Sequence, residues 1–289
     1  MLISNQLQDV YNWLLVSLKN EEAKREAIII LKVIADINPH QLFTKKDYLL
    51  SSAQIKKIQE IVKLRNEKHI PLAYLLEEAY FLDLELFVNN TVLIPRPETE
   101  LLVTETLKKI KEDKLRQISI LDLCTGSGCI ALALKRALPS ANVYASDISK
   151  DALNVALINA GKYKQDINFI LGDYLDPFLS HQRSPVALPI IRCSPPYFDV
   201  VISNPPYIAE SDYVSLAAEL MHEPKHALVG FPYAHIREQL KGLIKPNGFF
   251  AFEFGYEQTQ RILEIFPKAV IHKDLAGIDR FAFVQEEDL

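Results

Sequence analysis

After residue 118 the chain changes rhythm. Short strand-like runs alternate with longer helical ones, and this alternation restricts the possible folds more than any other feature of the sequence. Residues 118–123, 142–146, 168–171 and 200–203 read as strands, and residues 248–254 and 280–285 supply later ones. Helices are predicted over 129–138, after a Ser149 cap, and over about 256–266. Strands joined through helices run parallel, so the expectation is an α/β fold with a doubly wound, mostly parallel sheet and an antiparallel last strand. Such sheets bind ligands outside the carboxyl ends of their strands, where the strand order reverses.

Three strand ends carry side chains suited to that place. The first runs into Asp122-Leu-Cys124-Thr125-Gly126-Ser127-Gly128, a glycine turn that lets backbone approach a ligand closely. It has no Walker lysine followed by Ser or Thr and no full G-x-G-x-x-G spacing, which argues against a phosphate cradle and a dinucleotide site. The second strand ends at Asp147, about 20 residues further on, where an acid commonly takes ribose hydroxyls. The fourth ends at Asn204-Pro205-Pro206-Tyr207, where two prolines stop the strand and stiffen the turn. The Asn204 side-chain oxygen and the Pro205 carbonyl then form two fixed acceptors that suit a planar NH₂ group, with Tyr207 placed to pack on it. An Asn-Pro turn that merely closes a strand is the plain alternative.

Residues 5–68 carry helical periodicity, broken at Asn38-Pro39 and at Ser51-Ser52, and read as a small bundle. Its later part is basic (Lys45, Lys46, Lys56, Lys57, Lys63, Arg65, Lys68), either a solvated face or a docking surface for an acidic partner. Residues 81–88 alternate apolar and polar, and Asn89-Asn90 followed by 91–94 suggests a hairpin. Pro97 or Thr99 opens a helix to about Ile110. The resulting organisation is 1–78 helical domain, 79–95 β-hairpin linker and 96–289 α/β domain.

At 289 residues and 49% hydrophobic content the chain can bury such a core, and a net charge of −5 argues against non-specific coating of nucleic acid. The N-terminal stretch does not read as a signal peptide, and the apolar runs 13–16 and 27–34 are too short to cross a bilayer, so a cytoplasmic protein is expected. Cys124, Cys129 and Cys193 lack metal-like spacing and read as reduced thiols; His222 and His226 have no plausible metal partner, so no metal site is expected. No histidine lies locally to activate Cys129 as a nucleophile.

Together, Asp122 to Gly128, Asp147 and Asn204-Pro-Pro-Tyr207 resemble class I S-adenosylmethionine-dependent methyltransferases acting on nitrogen. The wider frame resembles the protein-(glutamine-N5) methyltransferases of peptide-chain release factors: Pro71-Leu-Ala-Tyr74-Leu, Leu93-Ile-Pro-Arg-Pro-Glu-Thr-Glu100, Phe198 to Ile208, Glu223-Pro-Lys-His-Ala-Leu228 and Lys273-Asp-Leu-Ala-Gly-Ile-Asp-Arg280. The resemblance implies a Rossmann-like domain and S-adenosyl-L-methionine as cofactor, held by Cys124, Thr125, Gly126, Ser127 and Gly128 at its methionine end, by Asp147 at the ribose and by Tyr174 beside the adenine. Asn204 belongs to this set and also to the substrate set Asn204, Pro205, Pro206 and Tyr207, of which Asn204, Pro205 and Tyr207 are the expected catalytic groups. The implied partner is a class 1 release factor, methylated on the glutamine of its Gly-Gly-Gln loop by a monomer that uses its helical domain for docking. No nucleic-acid or membrane partner is expected. Asn-Pro-Pro-Tyr alone also fits adenine-N6 and guanine-N2 methyltransferases, and a cofactor-binding module without turnover is a further alternative.

The sequence departs from the family at four places. Cys124 and Glu77 stand where glycine is usual, residues 179–193 look inserted, and the run after Leu228 is shortened to Val229-Gly-Phe-Pro-Tyr233. Ser194-Pro195-Pro196-Tyr197 is a second tetrapeptide of the catalytic type, but unlike Asn204 it lacks a preceding Phe-Asp strand start. Asp173 and Glu253 stay open between a site role and a strand-end hydrogen bond.

Overall fold

The computed structural model describes residues 4–45, 47–115, 117–179 and 197–289. Cys193, the insertion beyond Leu179 and the second tetrapeptide up to Pro196 lie outside the described residues. By packing, the chain divides into Met1–Glu77 with Ala217–His222, and Glu78–Leu216 with Glu223–Leu289.

The first unit is helical: Leu7–Ser17, Ala23–Ala35, Gln41–Thr44, Ser52–Lys68 and Leu72–Leu76. Leu7, Leu14, Ile30 and Ile58 meet in its core, as their helical spacing predicts. Ser51 caps the long helix through a capping box: its hydroxyl accepts from the Gln54 N–H at 3.2 Å, and Gln54 Oε1 accepts from the Ser51 N–H at 2.8 Å. Of the basic residues expected to form a face, Lys56, Lys57, Lys63 and Lys68 are exposed but Arg65 is buried. Its Nε and Nη2 donate to Glu26 Oε1 at 3.0 and 2.9 Å, and Nη2 also reaches Glu219 Oε1 at 2.7 Å. Glu77 closes the helix Leu72–Leu76 at φ 55°, the left-handed C-terminal position that glycine takes at least cost.

The second unit holds nine strands among the described residues: β1 Glu78–Phe81, β2 Leu84–Phe87, β3 Ser119–Leu123, β4 Asn142–Asp147, β5 Asn168–Leu171, β6 Phe198–Ser203, β7 Ile244–Glu253, β8 Val270–Lys273 and β9 Asp279–Gln285. Strands β3 to β9 form one sheet in the order β5-β4-β3-β6-β7-β9-β8, parallel except that β9 runs antiparallel to β7 and β8. The chain winds outward from β3 to β5, then returns to lay β6 on the other side of β3. That reversal opens a crevice beyond Leu123 and Ser203, which are paired in register.

One sheet face is covered by Pro97–Glu112, Cys129–Ala137 and Lys150–Tyr163, the other by Tyr233–Leu240 and Thr259–Ile265. The hairpin sits one strand earlier than the alternation suggests. It turns at Leu82-Asp83, with Leu82 at φ 52°, while residues 91–94 form no strand. The turn lacks the Asn-Gly signal such geometry usually carries, so periodicity ran straight through it. Asn159 joins the hairpin to the glycine turn, accepting from Phe87 N at 2.7 Å and donating to the Phe87 and Ser127 carbonyls at 2.9 Å each.

Strand β7 starts at Ile244 rather than 248, with Pro246-Asn247-Gly248 in an irregularity between the Phe198–Ile244 and Val200–Phe249 pairs. Gly248 is needed there because a Cβ would stand 2.5 Å from the Asp199 carbonyl of the neighbouring strand. Strand β8, exposed and only four residues long, gave no sequence signal.

Candidate active site

The glycine turn is held from below by Asp122. Its Oδ2 accepts from Thr125 Oγ1 at 2.6 Å and from the Ala131 N–H at 3.1 Å, tying the turn to the helix that follows. Complete burial pushes the Asp122 carboxyl up to about 7. The turn itself places three residues in the left-handed region: Cys124 at φ 64°, Gly126 at 53° and Gly128 at 83°. Cys124 therefore occupies a conformation that disfavours its Cβ, the physical meaning of its departure from glycine.

Asp147, at the end of β4, closes over the same turn. Its Oδ2 accepts from the Gly126 N–H and its Oδ1 from the Ser149 N–H, both at 2.9 Å. Burial raises its pKa, opposed by those two backbone donors. Each carboxylate oxygen keeps a further lone pair for a ligand hydroxyl.

A cavity of about 370 Å³ lies over these strand ends, within the range of small-molecule sites. It is lined by Cys124, Thr125, Gly126, Ser127, Asp147, Asp173, Tyr174, Asn204 and Pro206, together with Thr99, Arg96, Ile148 and His226. The fit to S-adenosylmethionine is good on three observations. A Cβ on Gly126 would meet nothing within 4 Å, so the backbone there fronts open space. The Ser146 hydroxyl, in the lining, is buried without a hydrogen-bond partner among the described residues. Ile148 and Tyr174 offer apolar surface near the Asp147 carboxylate. No group of His, Cys, Asp and Glu among the described residues is arranged to hold a metal ion.

Not every expected residue lines the cavity. Gly128 lies behind it, where an added Cβ would stand 3.1 Å from the Ala156 Cβ, so this glycine allows two helices to approach. Pro205 and Tyr207 are also absent from the lining. Tyr207 instead donates its hydroxyl to Glu253 Oε1 at 3.0 Å, and burial pushes that phenol well up.

Asn204 follows β6 directly, and its Nδ2 donates to Thr99 Oγ1 at 2.9 Å. Thr99 Oγ1 in turn donates to Glu253 Oε2 at 2.7 Å. The Glu253 carbonyl accepts from Tyr233 at 2.8 Å, and Gln258 Nε2 donates to the Tyr207 carbonyl at 2.7 Å. Burial holds the Glu253 carboxyl up at about 7 despite its two hydroxyl donors.

The Pro-Arg-Pro-Glu-Thr-Glu stretch is fastened by Glu223, which accepts from the Ile94 N–H at 3.1 Å and pairs with Arg96. The shortened run after Leu228 packs on the Asn204 turn, with Gly230 pressed against Pro206 and its N–H bonded to the Ile208 carbonyl at 3.0 Å. Sequence reasoning missed Thr99 in this role because it read only as a helix opener. The sole signal was its place within that unusual stretch.

The sequence family described as the methyltransferase small domain matches residues 97–230, and the PrmC N-terminal domain matches residues 9–76. The release factor glutamine methyltransferase of Clostridium acetobutylicum is 31% identical, covering 97% of this chain and 97% of that protein. That of Aquifex aeolicus is 33% identical over 91% of this chain and 92% of its own length. Among solved structures, a methyltransferase from Pyrococcus furiosus aligns at TM-score 0.46 and 13% identity, covering 82% of this chain and 99% of that one. Identity at this level across almost the whole of both chains means that this protein belongs to the release factor glutamine methyltransferase family.

Proposed function

We propose that this protein transfers the methyl group of S-adenosyl-L-methionine to the side-chain amide nitrogen of the glutamine in the Gly-Gly-Gln loop of a class 1 release factor. The observation that carries the reading is that Asn204, the glycine turn and Asp147 line one cavity at the point where the strand order reverses. Asp147 would hold the ribose hydroxyls, Cys124 to Ser127 the methionine end, and Tyr174 the base. Bound there, the cofactor supplies an electrophilic methyl group on a sulfonium.

An amide nitrogen is a poor nucleophile because its lone pair is delocalised into the carbonyl. Asn204, in the cavity wall, accepts one substrate N–H through Oδ1, and the carbonyl of Pro205, which does not itself line the cavity, is the second acceptor that the resemblance implies, the pair orienting the nitrogen for attack. The stiffness of the Pro205-Pro206 turn keeps the two acceptors in place as the substrate binds. No general base is needed before transfer, since an N–H proton leaves to water once the nitrogen carries the methyl group. Positioning supplies most of the acceleration.

The protein acts in the cytoplasm as a monomer on a protein substrate, without a nucleic-acid partner. No described helix is long and apolar enough to cross a membrane. The test is methyl transfer from labelled S-adenosylmethionine to a purified release factor, beside a copy whose Gly-Gly-Gln glutamine is replaced. Label on the intact factor alone is the expected result. Label on both would move the modified site elsewhere, and label on neither would reopen the adenine-N6 and guanine-N2 readings.

A further inference from the structure

Asn204 can accept from a substrate NH₂ in only one of its two amide orientations. Turned over, it would present its own NH₂ to another NH₂, and the contact would repel. A hydroxyl neighbour does not settle the choice by itself, because it can either donate to the amide oxygen or accept from the amide nitrogen. Thr99 has lost that freedom. Its single proton goes to Glu253 Oε2 at 2.7 Å, which leaves only lone pairs facing Asn204, and Asn204 Nδ2 donates to them at 2.9 Å.

Glu253 is itself fixed. Its other oxygen takes the Tyr207 proton at 3.0 Å, and the carboxyl is only 1% exposed. Thr99 is 2% exposed, so water has little access to substitute for either group.

We propose that Thr99 and Glu253 are positioning residues that lock the Asn204 amide with Oδ1 toward the substrate, so that Asn204 presents an acceptor there. The inference deepens the functional reading above and rests on it for the identity of the substrate. It also gives the site a chemical selectivity. A primary amide or amine donates to such an acceptor, whereas a carboxylate offers it only lone pairs and is repelled. The hydroxyl polarity runs outward from one buried carboxylate, through Thr99 to Asn204 on one branch and to Tyr207 on the other.

The test compares wild type, Thr99→Val and Thr99→Ser. Valine keeps the shape of threonine and removes the hydroxyl, and serine restores it. The expected result for valine is a kcat lower by about 10²-fold, the scale on which small misplacements act. The affinity for S-adenosylmethionine by calorimetry should stay near that of wild type. Serine should recover most of the lost kcat.

A second readout does not depend on turnover: the side-chain NH₂ resonances of Asn204, assigned through their loss in Asn204→Asp. A hydrogen-bonded, slowly exchanging pair in wild type and serine, with averaging or fast exchange in valine, is expected. Wild-type kcat in valine, or an Asn204 NH₂ indifferent to the substitution, would overturn the proposal. So would a valine loss matched by an equal loss of cofactor affinity. A wild type that leaves the release factor unlabelled would count against the functional reading alone, because the resonances still decide the orientation of Asn204.

Discussion

Replacing Glu253 with glutamine should change how the stability of the protein depends on pH, and the sign follows from the site. Glu253 is buried, and burial, more than any neighbour, raises its carboxyl from 4.5 to about 7. Thr99 and Tyr207 donate to it and Arg280 lies near in its favour, while Glu98 opposes it. The folded protein thus binds this proton more tightly than the unfolded chain does. Between about pH 4.5 and about pH 7 the unfolded state gives the proton up first, so this group's contribution to stability falls as pH rises through that window and is fully lost above it. The gap between 4.5 and about 7 corresponds to about 3 kcal/mol. Glutamine keeps the shape and does not titrate. The stability of Glu253→Gln relative to wild type should therefore improve by about 3 kcal/mol on going from about pH 4.5 to about pH 8. Asp122, also held at about 7, and Asp147 are present in both proteins and cancel in the difference. Urea unfolding followed by circular dichroism across that range measures it. Parallel curves for the two proteins would refute the argument. The same carboxylate must be ionised to accept from Thr99 and Tyr207 together, so wild-type kcat should rise with pH through about 7 while the stability falls.

Asn204→Ala should lower turnover by at least about 10²-fold yet leave calorimetric cofactor affinity largely intact, because in the proposed reaction it removes a transition-state acceptor and only a small part of the cavity wall. Asp147→Ala should do the reverse, weakening cofactor binding by at least about tenfold, since it frees the Gly126 and Ser149 N–H groups and removes the proposed ribose contact. In the helical unit, Glu26→Leu should destabilise by about 3 kcal/mol because it strips a buried arginine of two hydrogen bonds. Adding Arg65→Met should restore most of that in urea unfolding, while a double variant no more stable than the single one would contradict the pairing.

The parallel sheet was legible because its strands are short and separated by helices. Its reversal point could be placed because Asp122-to-Gly128, Asp147 and Asn204 all fall at carboxyl ends. What the pattern could not carry was geometry that contradicts local preference. Leu82 turns a hairpin at φ 52° without glycine or asparagine, and β7 carries Pro246 and Asn247, the latter at φ 67°, in a bulge between its Phe198–Ile244 and Val200–Phe249 pairs with β6. Cys124 and Glu77 hold left-handed conformations that a glycine would have announced.

The hidden half of the site is of another kind. Thr99 and Glu253 lie 154 positions apart and meet only because the helix Pro97–Glu112 packs on β7, with Glu253 as the last residue of that strand. Each has an ordinary local reading, as a helix-start hydroxyl and as a strand-end carboxylate. Their chemistry exists only in the pair. The asparagine proposed as catalytic can be found from the sequence because the prolines beside it leave a local mark. The groups that orient it leave none, since orientation depends on where a hydroxyl proton goes, and that is decided by the tertiary fold.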